Sequence, residues 1–122
     1  TLDLSANNFA TRWALPLTDG LCKNVNLTSL DLSCNQLMPD DIENFAEALE
    51  VNTSLIIFAI GGNNPEAKGI NALAEMLKVN EYLENLDIAA SGLENGGSIL
   101  IMKALQKNSS LKHLSLKDNN LG

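Results

Sequence analysis

The chain has 122 residues and a formal net charge of −7, with 15 acidic residues against eight basic ones. Proteins that grip nucleic acid carry a clustered basic face; here Arg12 is the single arginine and the lysines are scattered, so no nucleic-acid partner is expected. No apolar run reaches the roughly 20 residues that a bilayer-spanning helix needs, and two cysteines make neither a disulfide framework nor a metal-ligand quartet.

Leu2 and Leu4 point to one side of a first strand and Asp3 and Ser5 to the other, the period-two alternation of a half-buried strand. Asn7 closes the turn that follows, its amide standing in for backbone groups. Pro16 is expected to open a helix at its first turn, where no amide hydrogen is required, with Leu17 and Leu21 inward at i, i+4. Trp13, just before it, is expected to be a local cover. Cys22 lies in that helix and Cys34 in the turn after the next strand, and both thiols are expected to be buried or half-buried in a reducing compartment.

The second unit runs Leu27-Thr28-Ser29-Leu30-Asp31-Leu32-Ser33-Cys34-Asn35-Gln36-Leu37. Met38-Pro39-Asp40-Asp41 leads into a helix with acids at its positive end. Ile42, Phe45, Ala46 and Leu49 form its inner stripe, and Glu43, Glu47 and Glu50 its outer face. Asn52-Thr53-Ser54-Leu55 returns the chain to a third strand that is apolar on both faces, Leu55 to Ile60. Gly61-Gly62-Asn63-Asn64-Pro65 follows, with Pro65 where other units have leucine. Ile70, Leu73, Ala74 and Leu77 make the third inner stripe. The fourth unit carries Ser91 in place of the turn asparagine, and Gly96-Gly97 is expected to precede a helix with Ile101, Met102 and Leu105 inward. A fifth strand and turn, Leu111 to Leu121, complete the chain.

The second leucine position of each unit falls at 2, 30, 58, 86 and 114, a constant step of 28 residues. The Leu-x-x-Leu-x-Leu-x-x-Asn-x-Leu frame, the Ala46-Glu47-Ala48-Leu49 helix pattern and the Asn52-Thr53-Ser54-Leu55 return resemble the ribonuclease-inhibitor-like class of leucine-rich repeats. That class includes the sensor domains of NOD-like receptors, the activator of the Ran GTPase, and the tropomodulin and leiomodin actin-capping proteins. The stretch Asn71 to Asn80 is similar to the tropomodulin repeat domain in particular. The resemblance implies an α/β solenoid, a horseshoe with parallel strands on the concave face and α-helices on the convex face. It covers residues 1–122 as one segment of four to five repeats. Neither end looks like the polar cap that a solenoid requires, so an excerpt of a longer array is expected, with its native start upstream of Thr1. The sequons at Asn52 and Asn108 share a frame with Asn24 and Asn80 and read as by-products of the repeat; a third lies at Asn26.

No P-loop, zincin, nucleophile-elbow or calcium-loop spacing occurs, and His113 is the single histidine. A non-enzymatic role without cofactor or metal is therefore expected. What remains is the concave sheet, whose outward residues stack in columns about 5 Å apart. The central column is Asp3, Asp31, Ala59, Asp87 and Ser115. Ser29, Ile57, Asn85 and His113 precede it, and Ser5, Ser33, Gly61, Ala89 and Lys117 follow it. Asp3, Asp31, Asp87, Ser29, Ile57, Ala59, Asn85, His113, Ser115 and Lys117 are the candidate partner-binding residues. Together they describe an acidic groove with an apolar spot at Ile57 and Ala59, suited to a basic protein segment. The expected function is a cytoplasmic protein-interaction scaffold. Alternatives are an architectural part of a larger cytoskeletal or ciliary assembly, including tropomodulin-like actin binding, and regulation of a small GTPase.

Overall fold

The computed structural model of the protein describes residues 1–7 and 11–119, without the side chains of residues 11–13. The expectations for Leu121 and the Trp13 side chain lie outside the described residues. Strands β1 (Leu2–Asp3), β2 (Ser29–Asp31), β3 (Ile57–Ala59), β4 (Asn85–Asp87) and β5 (His113–Ser115) alternate with helices α1 (Thr11–Lys23), α2 (Pro39–Val51), α3 (Glu66–Val79) and α4 (Asn95–Leu105). The strands form one sheet in the order β1-β2-β3-β4-β5, every neighbour parallel. The register steps by 28 throughout: Leu2 faces Leu30, Leu30 faces Phe58, Phe58 faces Leu86 and Leu86 faces Leu114. The result is the α/β solenoid expected of the repeat, with one strand layer and one helix layer.

The core lies between the layers. Leu30, Leu32, Leu37, Phe58 and Ile60 from the sheet side meet Ile42, Phe45, Leu49, Leu73 and Leu77 from the helices, all essentially without solvent contact. Phe45 of α2 and Phe58 of β3 pack with ring centroids 6.3 Å apart and planes tilted by 39°, a geometry worth about 1 kcal/mol beyond the area it buries. The stripes occur where the 3.6-residue period places them.

Helix boundaries follow the array more closely than they follow local signals. α2 starts at Pro39 and α4 at Asn95, two 28-residue steps apart, and α3 begins at Glu66, one residue before the frame between them. This corrects two expectations. Pro16 does not open α1 but sits inside it, on the solvent side, where the carbonyl it leaves unbonded can be hydrated. Gly96-Gly97 does not precede α4 but forms part of its first turn. In both places, packing against the neighbouring helix outweighs the local preference.

Two more expectations change, each for its own reason. Met102 occupies the frame of Ala46 and Ala74, which the next helix buries, yet it is 57% exposed because no described helix packs beyond α4. Cys22 shares its frame with Glu50 and Lys78 on the outer helix face, and Cys34 occupies a left-handed turn position (φ 57°) that directs it away from the core; both thiols are exposed. That turn position recurs at Ala6, Cys34, Gly62, Ala90 and Asp118, each with φ between 50° and 68°. Four of these five residues carry a Cβ and bear some strain there. Glycine relieves that strain in the third unit, where a Cβ on Gly62 would also lie 2.6 Å from the Cys34 sulfur and require that exposed side chain to turn aside.

At each edge of the sheet an asparagine row joins one unit to the next. After the strands, the Asn35 side-chain oxygen accepts from the Asn7 amide at 2.9 Å, and Asn63 accepts from the amides of Asn35 and Leu37 at 3.0 and 2.9 Å. Asn119 does the same for Ser91 and Leu93. The Nδ2 groups donate back to carbonyls 31 residues earlier, Asn35 to Leu4, Asn63 to Leu32 and Asn119 to Ile88. After the helices, Asn52, Asn80 and Asn108 donate to Leu21, Leu49 and Leu77, carbonyls near the C-terminal ends of the preceding helices that lack helical partners. Their oxygens accept from the amides of Leu55, Leu83 and Leu111. The sequon residues Asn52 and Asn108 are thus occupied as structural side chains, whereas Asn26 is exposed.

The turn row is interrupted once, and the interruption is matched. Ser91 is too short to supply the acceptor and bonds its own Ala89 carbonyl at 3.2 Å. The unit before it carries Pro65 at the position where Leu37 and Leu93 donate an amide hydrogen, and proline has none. Loss of the acceptor and loss of one donor therefore coincide. A double-mutant cycle checks this match. Ser91→Asn should stabilise the protein more in a Pro65→Leu background than alone, with a coupling of at least about 0.5 kcal/mol in denaturant unfolding. Strict additivity would contradict it.

Candidate functional site

The register brings the candidate residues into the expected columns. Asp3 lies beside Asp31, Asp31 beside Ala59, Ala59 beside Asp87 and Asp87 beside Ser115. Ser29, Ile57, Asn85 and His113 form the adjoining column. The third column stays in step through backbone bonds just past the strands: Cys34 donates to Gly61, Gly62 to Ala89 and Ala90 to Lys117, at 2.8–2.9 Å. Gly61 is required there, since a Cβ would come within 2.4 Å of the Ala89 carbonyl oxygen.

The aspartates have partners of their own. Oδ1 of Asp31 accepts the Ser33 amide at 2.9 Å, and Oδ1 of Asp87 accepts the Ala89 amide at 2.8 Å. Asp3 accepts both the amide and the hydroxyl of Ser5, at 2.9 and 2.6 Å. Each aspartate thus holds the amide two residues on, at the point where the strand gives way to its turn. The spacing Asp-x-Ser at 3–5 and 31–33 is the sequence trace of this role. The two Ser5 hydrogen bonds hold the Asp3 carboxyl below its ordinary value of 3.8.

A hollow of about 540 Å³ opens on the concave face between β3 and β5. Ile57, Ala59, Asn85 and Asp87 line one side of it, and His113 and Ser115 the other. Ile57 is 43% exposed, a β-branched apolar side chain offered to solvent at the centre of the sheet. Lys112, which sequence reasoning passed over, also lines this hollow, and its ammonium lies 3.2 Å from Glu84. The face is therefore graded rather than uniformly acidic. Asp3 and Asp31 make one end negative, Ile57 and Ala59 make the middle apolar, and Asp87 lies beside Ser115 towards β5, where Lys112 pairs with Glu84. Among the described residues no three metal-ligating side chains converge, and no helix is long and apolar enough to cross a membrane.

The model of the family described as Leucine Rich repeat matches residues 23–46 and 107–122. No curated protein sequence matches the chain. Among solved structures, the chain is similar to leiomodin-1 actin-binding site 2, with a TM-score of 0.80 at 23% identity over 84% of this chain. The match covers 60% of that structure. Together with the strand register, these comparisons give the chain a leucine-rich repeat fold.

Two outcomes follow from the aspartate geometry. Asp31→Ala should lower unfolding stability by about 1 kcal/mol, because it strips a charged acceptor from the Ser33 amide. Asp31→Asn keeps that oxygen and should cost clearly less; equal losses would contradict the assigned contact. For Asp3 the folded carboxyl titrates below the unfolded one, so its contribution is complete above 3.8 and is lost as pH falls through the lower folded value. The Ser5 amide resonance should report that transition below pH 3.8, and a midpoint above it would contradict the contact.

Proposed function

We propose that the chain is a protein-interaction module that receives a segment of a partner protein along its concave sheet. The observation that carries this reading is the alignment of three chemically different zones on one rigid surface. The acidic pair Asp3 and Asp31, the exposed apolar spot of Ile57 and Ala59, and the β4–β5 hollow lie in register on parallel strands. A partner segment that matches them carries basic residues opposite β1 and β2, an apolar anchor opposite β3, and a polar or acidic end towards Lys117. Backbone register holds these side chains, so little ordering accompanies binding. The hollow supplies the concavity that an anchor residue needs. The module is read as non-enzymatic and cytoplasmic.

Actin is the first partner to examine, because the leiomodin-1 structure of the same fold is named as an actin-binding site. This supports an architectural variant of the same reading, in which the module works within a cytoskeletal assembly. Nothing in the geometry favours control of a small GTPase.

The test uses charge removal that preserves the local hydrogen bonds. Asp31→Asn with Asp87→Asn should weaken capture of a purified partner, actin first, by about tenfold, equivalent to 1.4 kcal/mol. Binding should also weaken with added salt. Glu47→Gln with Glu75→Gln on the helix face should leave capture unchanged. Capture that survives the concave substitutions and falls with the helical ones would transfer the site to the convex face. Absence of actin binding would remove the architectural variant alone.

A further inference from the structure

A second hollow, of about 700 Å³, lies on the loop edge of the solenoid, between the N-terminal turns of α3 and α4. It shares no lining residue with the concave hollow. Its apolar floor is Ile70, Leu93 and Leu100, and Glu66 and Glu94 stand on its rim. Two glycines border it. Gly97 is closely packed, since a Cβ there would lie 2.4 Å from Leu93 Cδ1 of its own unit and 3.3 Å from Ile70 Cγ2 of the third; Gly96 faces open space, with nothing within 4 Å of a Cβ.

Comparison with the preceding junction inside the same molecule shows what is missing. Between α2 and α3, the residue in the Gly96 frame is Lys68. Its ammonium reaches across to Asp40 at 2.6 Å and Glu43 at 3.6 Å, and these carboxylates raise its pKa. Between α3 and α4 that cation is replaced by glycine. Lys68 is drawn to the α2 side, and none of the residues lining the cleft is basic. The cleft therefore presents two carboxylates, 28 residues apart in sequence, above an apolar floor. Leu100, 39% exposed, and Ile99, 54% exposed, extend the apolar surface along α4, in the frames that hold Asn44 and Glu43 in α2.

We propose that this cleft is a second docking site, which takes a protein segment carrying an arginine or lysine next to an apolar residue. The cation occupies the space above Gly96 between Glu66 and Glu94, and its apolar neighbour covers Leu100. Charge complementarity selects this occupant. An acidic or phosphorylated segment would meet two carboxylates, and a purely apolar one would leave both beside low-dielectric surface. The site does not depend on the concave-face reading and can fail or stand separately from it.

The test is an amide-resolved NMR titration of the whole 122-residue chain with N-acetyl-leucyl-arginine amide. A matched probe carries neutral citrulline in place of arginine. The arginine probe should produce saturable shifts at Glu66, Gly92, Glu94, Gly96 and Gly97, and the citrulline probe should not. Gly96→Lys, which fills the cleft with a built-in cation and halves its negative charge, should abolish the shifts while the remaining spectrum stays dispersed. If that variant fails to fold, Glu66→Gln with Glu94→Gln carries the same prediction of loss. Equal shifts with both probes, shifts that persist in the folded variants, or no saturable shift at these amides would overturn the proposal. Shifts confined to Ile57, Asn85 and His113 would also overturn it, while leaving the concave-face reading in place.

Discussion

Everything in this molecule depends on how one 28-residue unit is fastened to the next, and that task falls largely to asparagine side chains. A parallel sheet of strands two or three residues long has few ladder bonds to hold it. At its edges, turn amides and helix-end carbonyls would be buried without partners, at a cost of roughly 1–3 kcal/mol each. Asn35, Asn63 and Asn119 meet this demand after the strands, and Asn52, Asn80 and Asn108 after the helices. A side-chain amide can both accept and donate. One asparagine therefore bonds its own turn and the unit before it, which fixes the translation between units as well as satisfying them. The Ser91 and Pro65 pair shows how tightly the demand is set: where the acceptor is missing, one of its donors is missing too.

Much of this was legible in the sequence because it repeats. The leucine frame at 2, 30, 58, 86 and 114 determines the strand register, and with it the columns from Asp3 to Ser115. The period even carried information that local reading overlooked. Cys22 aligns with Glu50 and Lys78, which marks it as an outer-face residue. What the sequence concealed has two physical origins. Local signals lost to packing at Pro16 and at Gly96-Gly97, since neighbouring helices dictate where a helix begins in a stack. The left-handed turn shared by Ala6, Cys34, Gly62, Ala90 and Asp118 has no consistent residue signature, because hydrogen bonds to adjacent units hold it against its steric cost. Met102 was misplaced for a related reason: its frame is buried only when another helix follows.

The candidate surfaces divide the same way. Concave columns are legible because strand side chains alternate with period two, so position in sequence determines position on the face. The bonds from Asp31 to Ser33 and from Asp87 to Ala89 were less visible, and they change the meaning of those aspartates. Each serves the turn of its own unit as well as the electrostatics of the face. The loop-edge cleft could not be read at all, because it is made by side chains that are absent, at Gly96 and Gly97, and by the spacing of two helices. Function is therefore sought where the units differ from one another: at Ile57 and Ala59 on the sheet, and at Gly96 on the edge. The shared leucines and asparagines hold those differences in register.

Amide hydrogen exchange, resolved residue by residue, tests this account most directly. If asparagine side chains fasten the units, the amides of Asn35, Leu37, Ser91 and Leu93 should be protected as strongly as the backbone-bonded amides of Leu32 and Ile60. The Asn63 amide, facing Ser91 instead of asparagine, should exchange faster than the amides of Asn35 and Ser91. Rapid exchange at all four asparagine-bonded amides, with protection confined to the strands, would contradict it.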